Sequence, residues 1–222
     1  METSFWNPLW LTLQLATITT VLLLLLGIPL AHWLAYSRFK FKAPVEALVS
    51  LPLVLPPSVL GFYLLIAFSP ANGIGKWFDE HIGIRFVFTF SGLVIGSLIF
   101  SLPFMVNALL NAFRAVPISL REAAMTLGKT KVEILRYVIL PFCKHGIITG
   151  IVMTFAHTIG EFGVVLMIGG AIPRETRLAS VAVYEEVEAL NFSSAHLYSI
   201  ILLATSFILL TLMFTFNRKI KE

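Results

Sequence analysis

The chain has 222 residues, 58% of them hydrophobic and only 13% charged, with a mean hydropathy of +0.90. Soluble domains carry roughly 25% charged residues, so a water-soluble globule is excluded at the outset. Lys and Arg number 16 against 12 Asp and Glu, and the net +4 would suit nucleic acid or an acidic surface until the charges are placed.

The chain opens Met1-Glu2-Thr3 without a basic region, and its first apolar stretch is too long for a cleavable leader, so this segment is expected to stay attached and span. Charge-free intervals run from Thr3 to Ser37, Ala47 to Gly75, Phe86 to Phe113, His145 to Gly160 and Ala189 to Asn217. A bilayer core needs about 20 residues of apolar helix. Four intervals exceed that, and the fourth in order reaches it by continuing through Glu161 to Ile168. The expectation is an all-α, polytopic membrane protein with five spans, near 9–33, 48–68, 87–111, 146–168 and 197–216, in a single domain over 1–222.

Twelve of the 16 basic residues fall in three places: Arg38, Lys40 and Lys42 after span one; Arg114, Arg121, Lys129, Lys131, Arg136 and Lys144 between spans three and four; and Arg218, Lys219 and Lys221 at the end. The excess of Lys and Arg in short loops marks the cytoplasmic side. The N-terminus is therefore expected outside and the C-terminus in the cytoplasm, with a cytoplasmic loop over 113–144 and outer loops over 69–86 and 169–196. Counted this way, the cytoplasmic group carries +8 and the outer group −4, so the overall +4 reports topology and gives no support to nucleic acid as a partner.

Span two is interrupted by Pro52, Pro56 and Pro57, ahead of Ser58 and Gly61. Each proline deletes a helical N–H and crowds the preceding turn. Non-helical backbone at membrane depth persists only in protein or beside a water-lined cavity, so the segment reads either as a broken helix at a translocation path or as a packed kink. Ser58 offers a hydroxyl to the path or to a carbonyl of its own helix. In the outer loop, Trp77 and Phe78 suit either a protein partner or an interfacial anchor.

Span four carries Gly160-Glu161-Phe162-Gly163, and an intramembrane acid is a functional candidate by default. Glu161 is expected to bond to backbone freed near the glycines or to be hydrated near the outer interface. His157 lies one turn earlier, but two ligands without a third do not make a metal site. Gly92/Gly96 and Gly146/Gly150 have the spacing that lets helices approach closely. Cys143 is the only cysteine and has no intrachain partner.

In the cytoplasmic loop, Ser119 with Glu122 and Thr130 with Glu133 each match a capping box, and Gly128 lies where a left-handed residue would end the first helix. The local chemistry predicts a helix, a tight turn and a second helix. Leu120, Ala123, Ala124 and Leu127 form an apolar stripe on the first helix. This hairpin suits either a groove on a soluble partner or the lipid headgroups. Gly128-Lys129-Thr130 imitates the end of a phosphate-binding loop, but position 123 is Ala and no strand precedes it, so nucleotide binding is rejected.

The run Glu122-Ala123-Ala124, Gly128, Val138-Ile139-Leu140-Pro141 resembles the EAA motif of bacterial ABC importer permeases, E-A-A-x3-G-x9-I-x-L-P, with Val138 replacing the Ile. The likeness extends through the proline-rich segment 51–61, Gly160-Glu161-Phe162-Gly163 and Ile172-Pro173-Arg174-Glu175-Thr176-Arg177 to the molybdate branch of that family, with tungstate and sulfate permeases as close relatives. Many members have Gly where this chain has Arg174.

The resemblance implies a type I importer transmembrane domain of the bacterial inner membrane. It implies that Glu122, Ala123, Ala124, Gly128 and Pro141 couple the spans to an ATPase, and that this chain binds no cofactor while the partner uses ATP and Mg. It further implies a second copy of the chain, two cytoplasmic ATPase subunits and an external oxyanion-binding protein. Pro56, Pro57, Ser58, Gly160, Glu161 and Gly163 are candidates for the path or gate, and Arg174 and Arg177 for transient oxyanion contact. Against an intramembrane hydrolase stands the lack of G-x-S-x-G and H-E-x-x-H; against an ion-coupled carrier, the lack of a clear internal repeat.

Overall fold

The computed structural model describes the backbone over residues 2–219 and side chains over residues 5–217. The side chains of Arg218 and Lys219, and all of Lys221 and Glu222, lie outside the described residues.

In chain order the helices are α1 (Glu2–Tyr36), α2 (Lys42–Ser50), α3 (Pro57–Phe68), α4 (Gly73–Ile82), α5 (Phe90–Arg114), α6 (Ile118–Thr126), α7 (Lys131–Ile134), α8 (Leu140–Phe142), α9 (Lys144–Ile159), α10 (Gly163–Gly169), α11 (Ala179–Glu188) and α12 (Phe192–Lys219). No strand occurs among the described residues. Three helical stretches are long and apolar enough to cross a bilayer alone: Phe5–Tyr36, Phe90–Arg114 and Phe192–Asn217. They match spans one, three and five, each a few residues longer or shifted.

Span two takes the broken form, one of the two readings its prolines left open, and span four is divided as well. Leu48 to Phe68 is not one kinked helix. A 3-10 turn at Leu51–Leu53 follows α2, and the chain bends by 107° into α3. With only 12 residues, α3 covers about 18 Å, less than the roughly 30 Å hydrocarbon core. Gly146 to Ile168 is likewise divided, α9 ending at Ile159 and α10 beginning at Gly163. A second bend, of 75°, separates the segment Lys131–Phe142 from α9.

The core forms where α1, α5 and α9 pack together. At one end Leu34, Leu109, Phe113, Val116, Ile139 and Cys143 share a buried cluster. Gly146 and Gly150 bring α9 onto α5, against Ala112, Ala108 and Met105. This is the close approach their spacing predicts. Nearer the other end Leu15, Leu93, Val164, Val165, Ile168 and Leu178 form a second cluster. There α10 packs on α3 and α5. By contrast α12 lies at the periphery, its most apolar window only 11% buried.

The segments read as outer loops contain helices. One is α4, on which Trp77 is exposed and stacks on His81, while Phe78 packs edge-on against Phe86. The other, α11, buries Ala179, Val181 and Ala182 and is part of the packed bundle. Its first N–H, at Ala179, donates to Thr12 Oγ1 of α1 at 2.9 Å. A side chain 167 residues away thus supplies one of the partners a helix start needs.

The first two basic clusters lie at the same end of the bundle. Tyr36 Oη donates to the Phe113 carbonyl, Arg114 pairs with Glu46, and His145 Nδ1 lies 3.4 Å from Asn217 Oδ1 just before the third cluster.

Candidate functional site: a coupling hairpin and two packed helix breaks

From the end of α5, Pro117 turns the chain and α6 starts at Ile118, with Pro117 as its N-cap. The Ser119 capping box does not form: Ser119 is already inside the helix, because the extended backbone at Pro117 (ψ 135°) sets the start two residues earlier. Gly128 has φ +74°, the left-handed conformation that glycine adopts without a Cβ penalty. The second capping box is complete. Thr130 N and Oγ1 donate to Glu133 Oε2 at 2.8 and 3.0 Å, and Glu133 N returns a bond to Thr130 Oγ1 at 3.3 Å. Lys129 Nζ adds a 3.0 Å contact to Glu133 Oε1. These donors, led by the Thr130 backbone N–H, hold the Glu133 carboxyl down to about 2. The Lys and Thr that imitate a phosphate loop are thus committed to ending one helix and starting the next.

Of the predicted apolar stripe, only Ala124 packs inward, in the cluster with Val116, Ile134 and Ile139. Glu122, Ala123, Gly128 and Pro141 face outward, and Leu127 and Val132 at the tip are 79% and 73% exposed. The hairpin therefore presents an apolar tip while Ala124 of α6 and Ile134 of α7 anchor it to the core. Behind it the chain forms a π-helical turn at Leu135–Ile139. Pro141 follows at once; without an N–H, and with a ring that crowds the preceding turn, it favours such a widened turn over regular helix.

The two interrupted segments meet. A Cβ on Gly163 would lie 2.7 Å from Pro57 Cβ, and a Cβ on Gly61 would lie 2.7 Å from Met167 Cβ and 3.1 Å from Val164 Cα. The start of α10 therefore rests on the start of α3, and only hydrogen at both glycines allows it. Pro56, Pro57 and Ser58 are otherwise exposed, although Pro57 Cβ and the Ser58 backbone nitrogen form part of this contact.

Glu161, in the break between α9 and α10, is 3% exposed. Its carboxylate bonds to a side chain and not to backbone freed near the glycines, one of the two settings the sequence left open. Ser97 Oγ of α5 donates to its Oε2 at 2.8 Å, and Ser180 Oγ of α11 donates to its carbonyl at 2.6 Å. Its Oε1 has no partner. One turn along, Ser101 Oγ lies 3.0 Å from both His157 Nδ1 and Thr158 Oγ1. The two α5 serines thus receive Glu161 and His157 separately. No group of three metal-ligating side chains exists among the described residues. Ser97, Ser101, Ser180 and Thr158 were missed from sequence; serines four apart on an apolar span were the available signal.

Arg174 and Arg177 are not brought together as a pair. Arg174 is exposed with φ +67°, the conformation for which glycine, the residue many family members carry there, is suited. Arg177 is tied to Glu185 and Glu186 of α11. Thr176, buried, organises the loop by donating to the Gly169 carbonyl at 2.6 Å and accepting from Ile172 N at 2.8 Å.

With this geometry in hand, the chain was compared with known proteins. Residues 13–222 match the family model "Binding-protein-dependent transport system inner membrane component". The chain is 45% identical over 209 residues to the molybdenum transport system permease protein ModB of Azotobacter vinelandii, covering 94% of this chain and 92% of that one. It is 34% identical over 183 residues to ModB of Escherichia coli K12, covering 82% and 80%. To the sulfate transport system permease protein CysT of Salmonella typhimurium it is 30% identical, covering 94% and 76%. Among solved structures, the inward-facing MetNI methionine ABC transporter aligns over 99% of this chain and 97% of that one, with TM-score 0.76 and 18% identity. The fold is therefore that of ABC importer membrane domains. The chain is a multi-pass inner-membrane protein belonging to the binding-protein-dependent transport system inner membrane component family.

Proposed function

We propose that the chain is the permease subunit of an ATP-driven importer that carries an oxyanion, molybdate, across the cytoplasmic membrane by alternating access. The observation that carries this reading is the 45% identity over 94% of the chain to a molybdenum permease. An intact EAA hairpin with an exposed apolar tip supports the coupling role. A second copy of the chain completes the path. Two ATPase subunits, which use ATP and Mg, dock on the hairpins from the cytoplasm, and an external binding protein delivers the anion. The +8 basic end faces the cytoplasm by the loop-charge rule.

ATP binding favours the state in which the hairpins approach and the path opens outward, and hydrolysis restores the inward state; each ligand works by its differential affinity for the two states. Glu122, Ala123, Ala124, Gly128 and Pro141 transmit that motion. The α3–α10 contact, with Pro56, Pro57, Ser58, Gly160, Glu161 and Gly163, is the candidate gate, since one short helix moving there carries the other with it. Arg174 is the basic side chain left free for anion contact, and Arg177 serves the loop.

Uptake of labelled molybdate by the chain reconstituted with its ATPase and binding protein tests the reading. It predicts ATP-dependent uptake that excess sulfate does not compete away. A strict sulfate preference would assign the chain to the second reading, that of CysT-like permeases, which the 30% identity to CysT supports. Uptake driven by an ion gradient without ATP would overturn the importer class.

A further inference from the structure

A pocket of about 290 Å³ lies between the end of α1 and the coupling hairpin, unrelated to the gate. Its walls include Trp33, Tyr36 and Ser37 from α1, Arg121 from α6 and Lys131 from α7. Two polar atoms buried at this pocket's walls, Ser37 Oγ and Arg121 Nε, have no partner. Both atoms are closed to the pocket's open space; the donors it offers a ligand are the Arg121 Nη atoms, which are neither buried nor hydrogen-bonded, and the Lys131 ammonium.

The charge balance specifies the ligand's sign. Arg121 and Lys131 are both cationic, and no carboxylate lines the pocket. Glu133 is engaged with Thr130 and Lys129 and Glu46 with Arg114, while Glu122, next to Arg121 on α6, is exposed and does not line the pocket. Tyr36 uses its hydroxyl on the Phe113 carbonyl and its ring face to hold the Arg121 guanidinium at 3.7 Å, which fixes the fork in place. A planar guanidinium and an ammonium lining one space suit a phosphate.

The surroundings specify the source. Trp33 continues the exposed apolar stripe of α1 through Ile18, Val21 and Leu25, so the pocket opens beside a surface suited to an acyl chain, at the basic end of the bundle. We propose that this pocket holds the headgroup phosphate of an anionic phospholipid, seated on Arg121 and Lys131 with its chains along the α1 stripe.

Native mass spectrometry of the full chain in detergent, titrated with phosphatidylglycerol, phosphatidylcholine and inorganic phosphate, tests this. The expected result is one phosphatidylglycerol retained per chain, with phosphatidylcholine weaker and inorganic phosphate unable to displace the lipid. Arg121→Gln with Lys131→Gln should weaken that retention roughly tenfold or more, the loss expected for a charge-assisted hydrogen bond, and Arg121→Lys should recover part of it. Equal retention by wild type and double variant would overturn the proposal. One-for-one displacement by inorganic phosphate would also overturn it, in favour of a free-anion site. Should the double variant not fold, Lys131→Gln alone decides, because that side chain is exposed; retention equal to wild type would count against the site.

Discussion

The guanidinium of Arg121 lies 3.7 Å over the ring of Tyr36, whose hydroxyl donates to the Phe113 carbonyl at 2.6 Å. One aromatic side chain thus joins the coupling hairpin to the ends of both α1 and α5. Tyr36→Phe removes only the hydroxyl bond and is expected to lower stability by about 0.5–1.5 kcal/mol. Tyr36→Leu also removes the stack, worth about 0.5–2 kcal/mol more. Thermal melts in detergent should rank wild type, Phe, then Leu. The coupling role adds that Leu, more than Phe, raises ATP hydrolysed per anion carried.

The crossing of α3 and α10 gives a steric prediction. Gly163→Ala and Gly61→Ala each place a methyl about 2.7 Å from Pro57 or Met167 Cβ, and overpacking of this kind costs about 1–3 kcal/mol. Gly160→Ala is the control, since its nearest neighbours would be 3.8 and 3.9 Å away. Membrane yield and the melting temperature in detergent should fall for the first two and hold for the third. Equal behaviour of all three would remove the close contact from the account.

At Glu161 hydrogen bonding and charge are separable. Glu161→Ala strands the Ser97 hydroxyl and should cost about 1–3 kcal/mol. Glu161→Gln keeps an acceptor for that hydroxyl and should fold. A gate that depends on carboxylate charge then shows as lost uptake in a well-folded Gln variant, and normal uptake would leave Glu161 a structural tie only.

The Glu133 carboxyl, held at about 2, supplies a pH signature. Its folded value lies below the ordinary 4.5, so its contribution to the hairpin is fully present above pH 4.5 and fades as pH falls towards 2. Hydrogen exchange across residues 129–135 should be pH-independent, after correction for intrinsic rates, from 7 to 5, and protection should decline below 4.5. Thr130→Ala removes one of the donors and leaves the backbone N–H, so the decline should start at the same pH, be shallower and finish at a higher pH; an unchanged profile would contradict the cap.

Arg174→Gly trades about 1–2 kcal/mol of left-handed strain against about 0.5–1 kcal/mol of added chain freedom, so stability should stay nearly level. If Arg174 contacts the anion in transit, uptake falls while the melt does not. Unchanged uptake would end that assignment.

Much of this was legible because its causes are local. Thr130, Glu133 and Gly128 specify their turn within six residues, and the charge-free intervals locate the membrane segments. Pro56 and Pro57 announce a break, but the 107° bend is not written in them, and the partner α3 then packs on, α10 at Gly61, is remote in sequence. Ser119 misled because Pro117, two residues away, starts the helix first. The helix α11 was hidden because Thr12, at the far end of the chain, supplies its N-terminal partner. Glu161 stood out as a buried acid, while its partner Ser97 is one serine among many.

The π-helical turn at Leu135–Ile139 carries, in effect, one residue more than a regular helix would need to join α7 to the segment ahead of α9. Rewinding those same residues as regular helix would turn the hairpin by about 100°, the angle per residue of a 3.6-residue turn, whereas deleting one residue would restore regular winding with the heading kept. The heading of the docking surface is therefore written in the winding of this connector, and a chain with every motif residue intact would present its hairpin to the wrong side if that turn tightened.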